Sequence, residues 1–178
     1  MAITRLGPNN SANISGINLT SQVTGTLPTA NGGTGATSFT SPKILQVVQA
    51  STTTETIKTN STFSDTGLTA DITPSATSSK VLIFVNCGGV GKASSNTYAQ
   101  LKLLRGSTGL VTFEQRGGYD GGTDANKVGS CSTFYEDSPS TTSATTYKVQ
   151  LRSGNNSSYA QMGDSASTSS IVLMEIAG

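Results

Sequence analysis

From residue 43 onward the chain alternates apolar and polar positions with a period of two. Leu68, Ala70 and Ile72 fall on one side of an extended segment, opposite Thr69, Asp71 and Thr73. Tyr147, Val149 and Leu151 likewise oppose Lys148, Gln150 and Arg152. This alternation predicts strands with one wet face. Two runs break it. Val81-Leu82-Ile83-Phe84-Val85 and Ile171-Val172-Leu173-Met174 are apolar in both phases, which predicts central strands covered on both sides. Short runs rich in β-branched and aromatic residues recur at 43–50, 55–63, 67–73, 80–87, 97–105, 110–116, 128–136, 145–152, 158–163 and 170–177. Between them stand breakers such as Thr73-Pro74-Ser75, Gly88-Gly89, Gly117-Gly118, Gly121-Gly122, Ser138-Pro139 and Ser153-Gly154-Asn155-Asn156. No stretch carries a capped helical repeat. The pattern predicts an all-β fold, an antiparallel β-sandwich of jelly-roll-like type, over residues 42–178.

Residues 1–41 follow another rule. Isolated Ile14, Ile17, Leu19, Val23 and Leu27 sit among Ser, Thr, Asn and Gly, with Arg5 the one charge and Phe39 the one aromatic. Ordering a backbone costs about 1–2 kcal/mol per residue, and so little apolar area cannot offset that within one chain. The segment is therefore expected to be ordered by other chains, as an extended attachment and trimerisation arm. Ile14-Ser15-Gly16-Ile17 and Val23-Thr24-Gly25-Thr26 form a short internal echo. Gly32-Gly33-Thr34-Gly35 is a candidate bend or chain crossing, because glycine enters positive φ without steric cost.

Composition narrows the chemistry. The 178 residues include 54 Ser and Thr, no histidine and no tryptophan, with a net charge of +1. Hydrophobic residues are 34% and charged residues 12%, against roughly 45–50% and about 25% in ordinary domains. Without histidine there is no imidazole base and no imidazole metal ligand. A near-neutral chain lacks the basic stripe of a nucleic-acid binder, and no apolar run is long enough to insert into a membrane as a helix. Residues 1–8 carry no apolar signal-peptide core. Cys87 and Cys131 have no metal-site spacing; they read as buried free thiols, able to pair only if their strands are neighbours. The Gly32–Gly35 loop lacks the ending of a phosphate cradle. Glu114, Glu136 and Asp137 are the acids nearest aromatics, and too few to predict glycoside hydrolysis. No catalytic residue, cofactor or metal is expected. Tyr119, Asp120 and Asp124, on a Gly-rich loop, form the candidate receptor contact, since exposed loops on a rigid sandwich commonly carry recognition. Phe84, Phe134, Tyr98 and Tyr147 fall inside strand runs, as core or subunit contacts.

Leu19-Thr20-Ser21-Gln22-Val23-Thr24-Gly25-Thr26-Leu27-Pro28-Thr29-Ala30-Asn31-Gly32-Gly33-Thr34-Gly35-Ala36-Thr37-Ser38 resembles a segment of bacteriophage fibre and related virion proteins. The later runs Phe63–Pro74, Ser78–Ile83, Leu104–Thr108, Asp137–Pro139, Thr145–Val149 and Ser169–Ile176 resemble a C-terminal module of marine and cyanobacterial phage structural proteins. The resemblance implies a homotrimeric virion protein without enzymatic activity, made in the host cytoplasm and built into the particle. Its arm residues Ile14, Ile17, Leu19, Val23, Leu27, Asn31, Gly32, Gly33 and Gly35 would contact sister chains and other tail or capsid proteins. The head would meet a host-surface glycan or protein, as a fibre or spike. Only about forty residues precede the sandwich, far fewer than in most tail fibres, so capsid decoration, stabilising the shell, stands as the alternative role.

Overall fold

The computed structural model describes residues 43–93, 96–119, 126–156, 158–164 and 166–178, with the side chains of 126–128 set aside. Ten strands follow one another: β1 (Ile44–Thr52), β2 (Thr56–Lys58), β3 (Ser64–Ile72), β4 (Lys80–Lys92), β5 (Ala99–Arg105), β6 (Thr108–Gly117), β7 (Asn126–Asp137), β8 (Thr145–Ser153), β9 (Ala160–Met162) and β10 (Ser169–Ile176). There is no helix among the described residues. The strands form two antiparallel sheets. In the larger, β4 carries β7 along one edge; its other edge carries β10 over residues 80–86 and β9 at Gly91 and Lys92. β1 pairs with β10 and β2 with β9, so this sheet is four strands wide. The smaller sheet runs β3-β8-β5-β6.

The alternation read from the sequence becomes burial. Leu68 and Ile72 of β3, Val81, Ile83 and Val85 of β4, Leu101 and Leu103 of β5, Tyr147, Val149 and Leu151 of β8, and Ile171 and Leu173 of β10 join one buried cluster. Burying each such aliphatic side chain is worth about 1.5–3 kcal/mol. The intervening residues of β3 and β8 face outward. At the tip between β5 and β6, Arg105 pairs with Thr108 across a two-residue turn, with Gly106 at φ 55°. Glycine at the first central position suits the turn that matches strand twist.

Two expectations need correction. Gly88-Gly89 does not end a strand: β4 runs on through it to Lys92, with register shifts between Gly88 and Val90. The glycines permit this because the chain after β9 crosses directly over them. A Cβ on Gly89 would lie 2.7 Å from the Gly163 carbonyl carbon, and one on Gly88 2.9 Å from the Thr168 oxygen. Gly89 stands at φ 61°, a bulge conformation open to glycine. The second correction concerns the two runs apolar in both phases. Among the described residues only one side of them is covered: Ile83 and Leu173 are fully buried, whereas Phe84 is 43% exposed and Leu82, Val172 and Met174 are only half-buried. The runs at 55–63 and 158–163 shrink to three-residue strands.

Cys87 and Cys131 are direct partners across β4 and β7, both buried and both free thiols. Burial pushes each up to about 12, with Cys131 adding to the rise at Cys87 and Glu114 to that at Cys131, so neither is a reactive thiolate at neutral pH.

Candidate interaction face

The outer sides of the two sheets differ in chemistry. On the smaller sheet the outward residues of β3 and β8 are mostly polar and bond to one another, with Leu104 of β5 among them in register with Lys148. Lys148 Nζ and Gln150 Nε2 each donate to Asp65 at 2.8 Å, and these bonds, Lys148 first, hold the Asp65 carboxyl below its ordinary value. Thr146 donates to Asp71, Arg152 to Gln100 and, at 3.0 Å, to the Ser61 carbonyl. Lys102 Nζ and the Arg152 guanidinium lie 4.0 and 4.8 Å from the centre of the Phe63 ring, in cation–π contact.

The larger sheet presents the opposite surface. Strand register aligns its outward residues in rows across β1, β10, β4 and β7: Val47–Met174–Leu82–Glu136, then Gln49–Val172–Phe84–Phe134, then Ser51–Ser170–Asn86–Ser132. Phe134 is 76% exposed, and Ile44, Leu45 and Val47 are exposed along the β1 edge. A shallow groove of about 510 Å³ opens between Phe84, Val172 and Phe134, bounded by Asn86, Ser132 and Ser170. The charged pair of this face, Lys80 and Glu136, is closed on itself at 2.6 Å. In the first two rows, alternation that elsewhere sends Thr, Asp, Lys and Gln to water sends Val47, Leu82, Phe84, Phe134, Val172 and Met174 outward, while the third row is polar.

Carboxylates elsewhere in the head serve as structural bonds. Asp137 accepts two hydrogen bonds from Arg105 Nη1, at 2.9 and 2.8 Å, and one from the fully buried Tyr147 hydroxyl at 2.6 Å. This network ties β7 of one sheet to β5 and β8 of the other. Glu175, also fully buried, accepts from Gln46 Nε2 at 2.6 Å, the Ser75 amide at 2.6 Å and the Ser75 hydroxyl at 2.7 Å. Burial by itself raises its carboxyl, yet the bonds from Gln46 and Ser75 outweigh this and hold it at about 2. Glu114 accepts from the Arg116 amide at 2.8 Å. Glu136 and Asp137 are sequence neighbours on β7 and point to opposite faces, the first exposed and the second buried, so they do not converge as an acid pair. Among the described residues, no three His, Cys, Asp or Glu side chains gather as metal ligands.

Of the candidate receptor loop, Tyr119 is described and Asp120 and Asp124 lie outside the described residues. Tyr119 is 39% exposed, with its ring edge-on to Tyr98 at 6.0 Å between centroids. The Arg116 guanidinium lies 4.7 Å from the Tyr119 ring and 5.5 Å from that of Tyr98. The ring is thus fixed in place at one end of the sandwich. Ile14, Ile17, Leu19, Val23, Leu27, Asn31, Gly32, Gly33 and Gly35, the candidate arm contacts, also lie outside the described residues. Sequence reasoning placed Phe84 and Phe134 among core or subunit contacts without seeing that they stand side by side. The signal was there, in runs apolar in both phases, but alternation does not say which molecule covers the second face.

Set against known proteins, the chain matches no family model and no curated protein.

Proposed function

We propose that this chain is a bacteriophage virion structural protein: a trimeric fibre or spike that docks on the particle through residues 1–41 and displays the sandwich for attachment to the host surface. The observation that carries this reading is the contrast between the two outer faces. One is closed by hydrogen bonds and the Lys148–Asp65 ion pair; the other sets Leu82, Phe84, Phe134, Val172 and Met174 outward beside a polar row, as in a part made to mate with further protein. The resemblance of residues 19–38 to phage fibre segments supports it and names the particle. The strand order β1-β10-β4-β7 against β3-β8-β5-β6 supports a jelly roll, an architecture that recurs in viral coat and lectin domains; fold alone does not assign function. Glu114, Glu136 and Asp137, the acids nearest aromatics, are bonded within the fold.

Labelled particles test the proposal. Micrographs of virions carrying a tag on this chain should show it at the tail. Copies spread over the shell would overturn the fibre role and establish capsid decoration instead, and gel densitometry would then count hundreds of copies per particle rather than tens or fewer.

A further inference from the structure

We infer that Cys87 and Cys131 form a disulfide site: in oxidising surroundings the two thiols join and fasten β7 covalently to β4. The register of this strand pair sets the two residues directly opposite one another. Both belong to the buried cluster and so share the inward face of the sheet. Directly opposed residues of an antiparallel pair stand about 4.5–5.5 Å apart at Cα, within the roughly 4.4–6.8 Å usual for disulfides. Their Cβ atoms, also about 4.5–5.5 Å apart, need approach by roughly 1 Å to reach bonding geometry.

The surroundings allow that approach. Among the described residues β7 pairs with β4 alone, so it can shift without opening a second ladder. Glycine lies close to the pair on both strands. Gly88 follows Cys87, at the point where register shifts towards Val90. Gly129, two residues before Cys131, stands at φ 97° with nothing within 4 Å of the missing Cβ. The Cys131 thiol donates to Glu114 Oε2 at 3.5 Å. Pairing gives up that weak bond, and the half-buried Glu114 side chain can accept from water instead while keeping the Arg116 amide at 2.8 Å.

The reaction is exchange with a low-molecular-weight disulfide. Burial holds both thiols protonated while the sheet is closed, so exchange waits on local opening of β7. Cys131, on the edge strand and 7% exposed against 0% for Cys87, reacts first. Its thiol gives up a proton and the thiolate attacks one sulfur of the reagent, expelling the other, which takes up a proton. Cys87 then attacks the Cys131 sulfur of the mixed disulfide and expels the second thiol in the same way. The two cysteines lose two electrons and two protons, and the reagent gains both. A reducing cytoplasm keeps such thiols free, and oxidising surroundings complete the bond. The pairing requires only the head and not the virion role.

The test takes the full chain in its reduced form and adds glutathione disulfide, once to the folded protein and once during refolding from urea, where burial does not block the reagent. After an acid quench, tryptic peptide mapping reads the bond. The expected product is peptide Val81–Lys92 joined to Val128–Lys148 within one chain. Its melting temperature should rise by about 5 °C or more, because the bond closes a loop of about 45 residues, and fall back when dithiothreitol is added. Cys131→Ala should give neither the link nor the rise. Glutathione adducts on both cysteines, links between chains, or free thiols after both incubations overturn the inference. A linked chain whose melting temperature does not rise also overturns it, since β7 is then not fastened.

Discussion

At the scale of single residues, the head is stabilised by a few buried acids whose partners are far away in sequence. Glu175 occupies the inward phase of β10, where the pattern Ile171, Leu173 leads one to expect another aliphatic. It is accepted there because Ser75, 100 residues away, donates both its amide and its hydroxyl. Glu175→Gln keeps the shape and removes the charge, and is expected to lower unfolding stability at pH 7 by roughly 1–3 kcal/mol, the worth of hydrogen bonds to an ionised group. The pH dependence follows from its lowered pKa. The ionised form is favoured in the fold, so its contribution is complete above the ordinary carboxylate value of 4.5 and is lost as pH falls towards about 2. Urea midpoints of wild type and variant should therefore differ at pH 7 and converge as the pH approaches 2. A gap that stays constant across that range would contradict this account.

Among the elements, β4 depends most on what lies over it. Its long run through Gly88 and Gly89 requires a bare backbone, because the crossing chain bonds to it: Gly163 N–H donates to the Gly88 carbonyl at 2.8 Å and Gly88 N–H to Ser169 Oγ at 3.0 Å. Gly106, at the β5–β6 tip, shares the positive φ but has nothing within 4 Å of the missing Cβ. The two glycines separate strain from collision. Gly106→Ala should cost about 1–2 kcal/mol, the left-handed penalty alone. Gly89→Ala adds a backbone clash at 2.7 Å and should cost about 3 kcal/mol or more, with thermal melts of the two variants giving the comparison. The sequence marks Gly88-Gly89 as a breaker between strands. Only at Gly106 is a turn what the chain makes, since the crossing at Gly89 involves residues more than seventy positions downstream.

For the whole molecule, the proposed division of labour between arm and head makes a prediction. The buried cluster draws on no residue before Val48 among those described, so residues 42–178 expressed alone should be soluble and show a β-sheet circular dichroism spectrum. They should no longer join the particle. Full incorporation of the truncated head would remove the arm from its assigned role. Much of the head was legible beforehand, because strands with one wet face write their orientation into every second residue, as at Leu68–Ile72 and Tyr147–Leu151. The outward apolar residues of the larger sheet were legible only as an anomaly, Val81–Val85 and Ile171–Met174 having too many apolar residues for one covered side.

What the sequence determined by itself was local: extended segments, their wet and dry phases, and the breakers between them. These follow from side-chain alternation and turn chemistry, which depend on neighbours along the chain. The tertiary structure decided what neighbours through space decide. It set which strands pair, that Cys87 faces Cys131, that buried Glu175 and Asp137 find donors, and that among the described residues the second side of β4 and β10 faces outward. Register across a sheet links residues a hundred positions apart, and nothing in a local pattern carries that information.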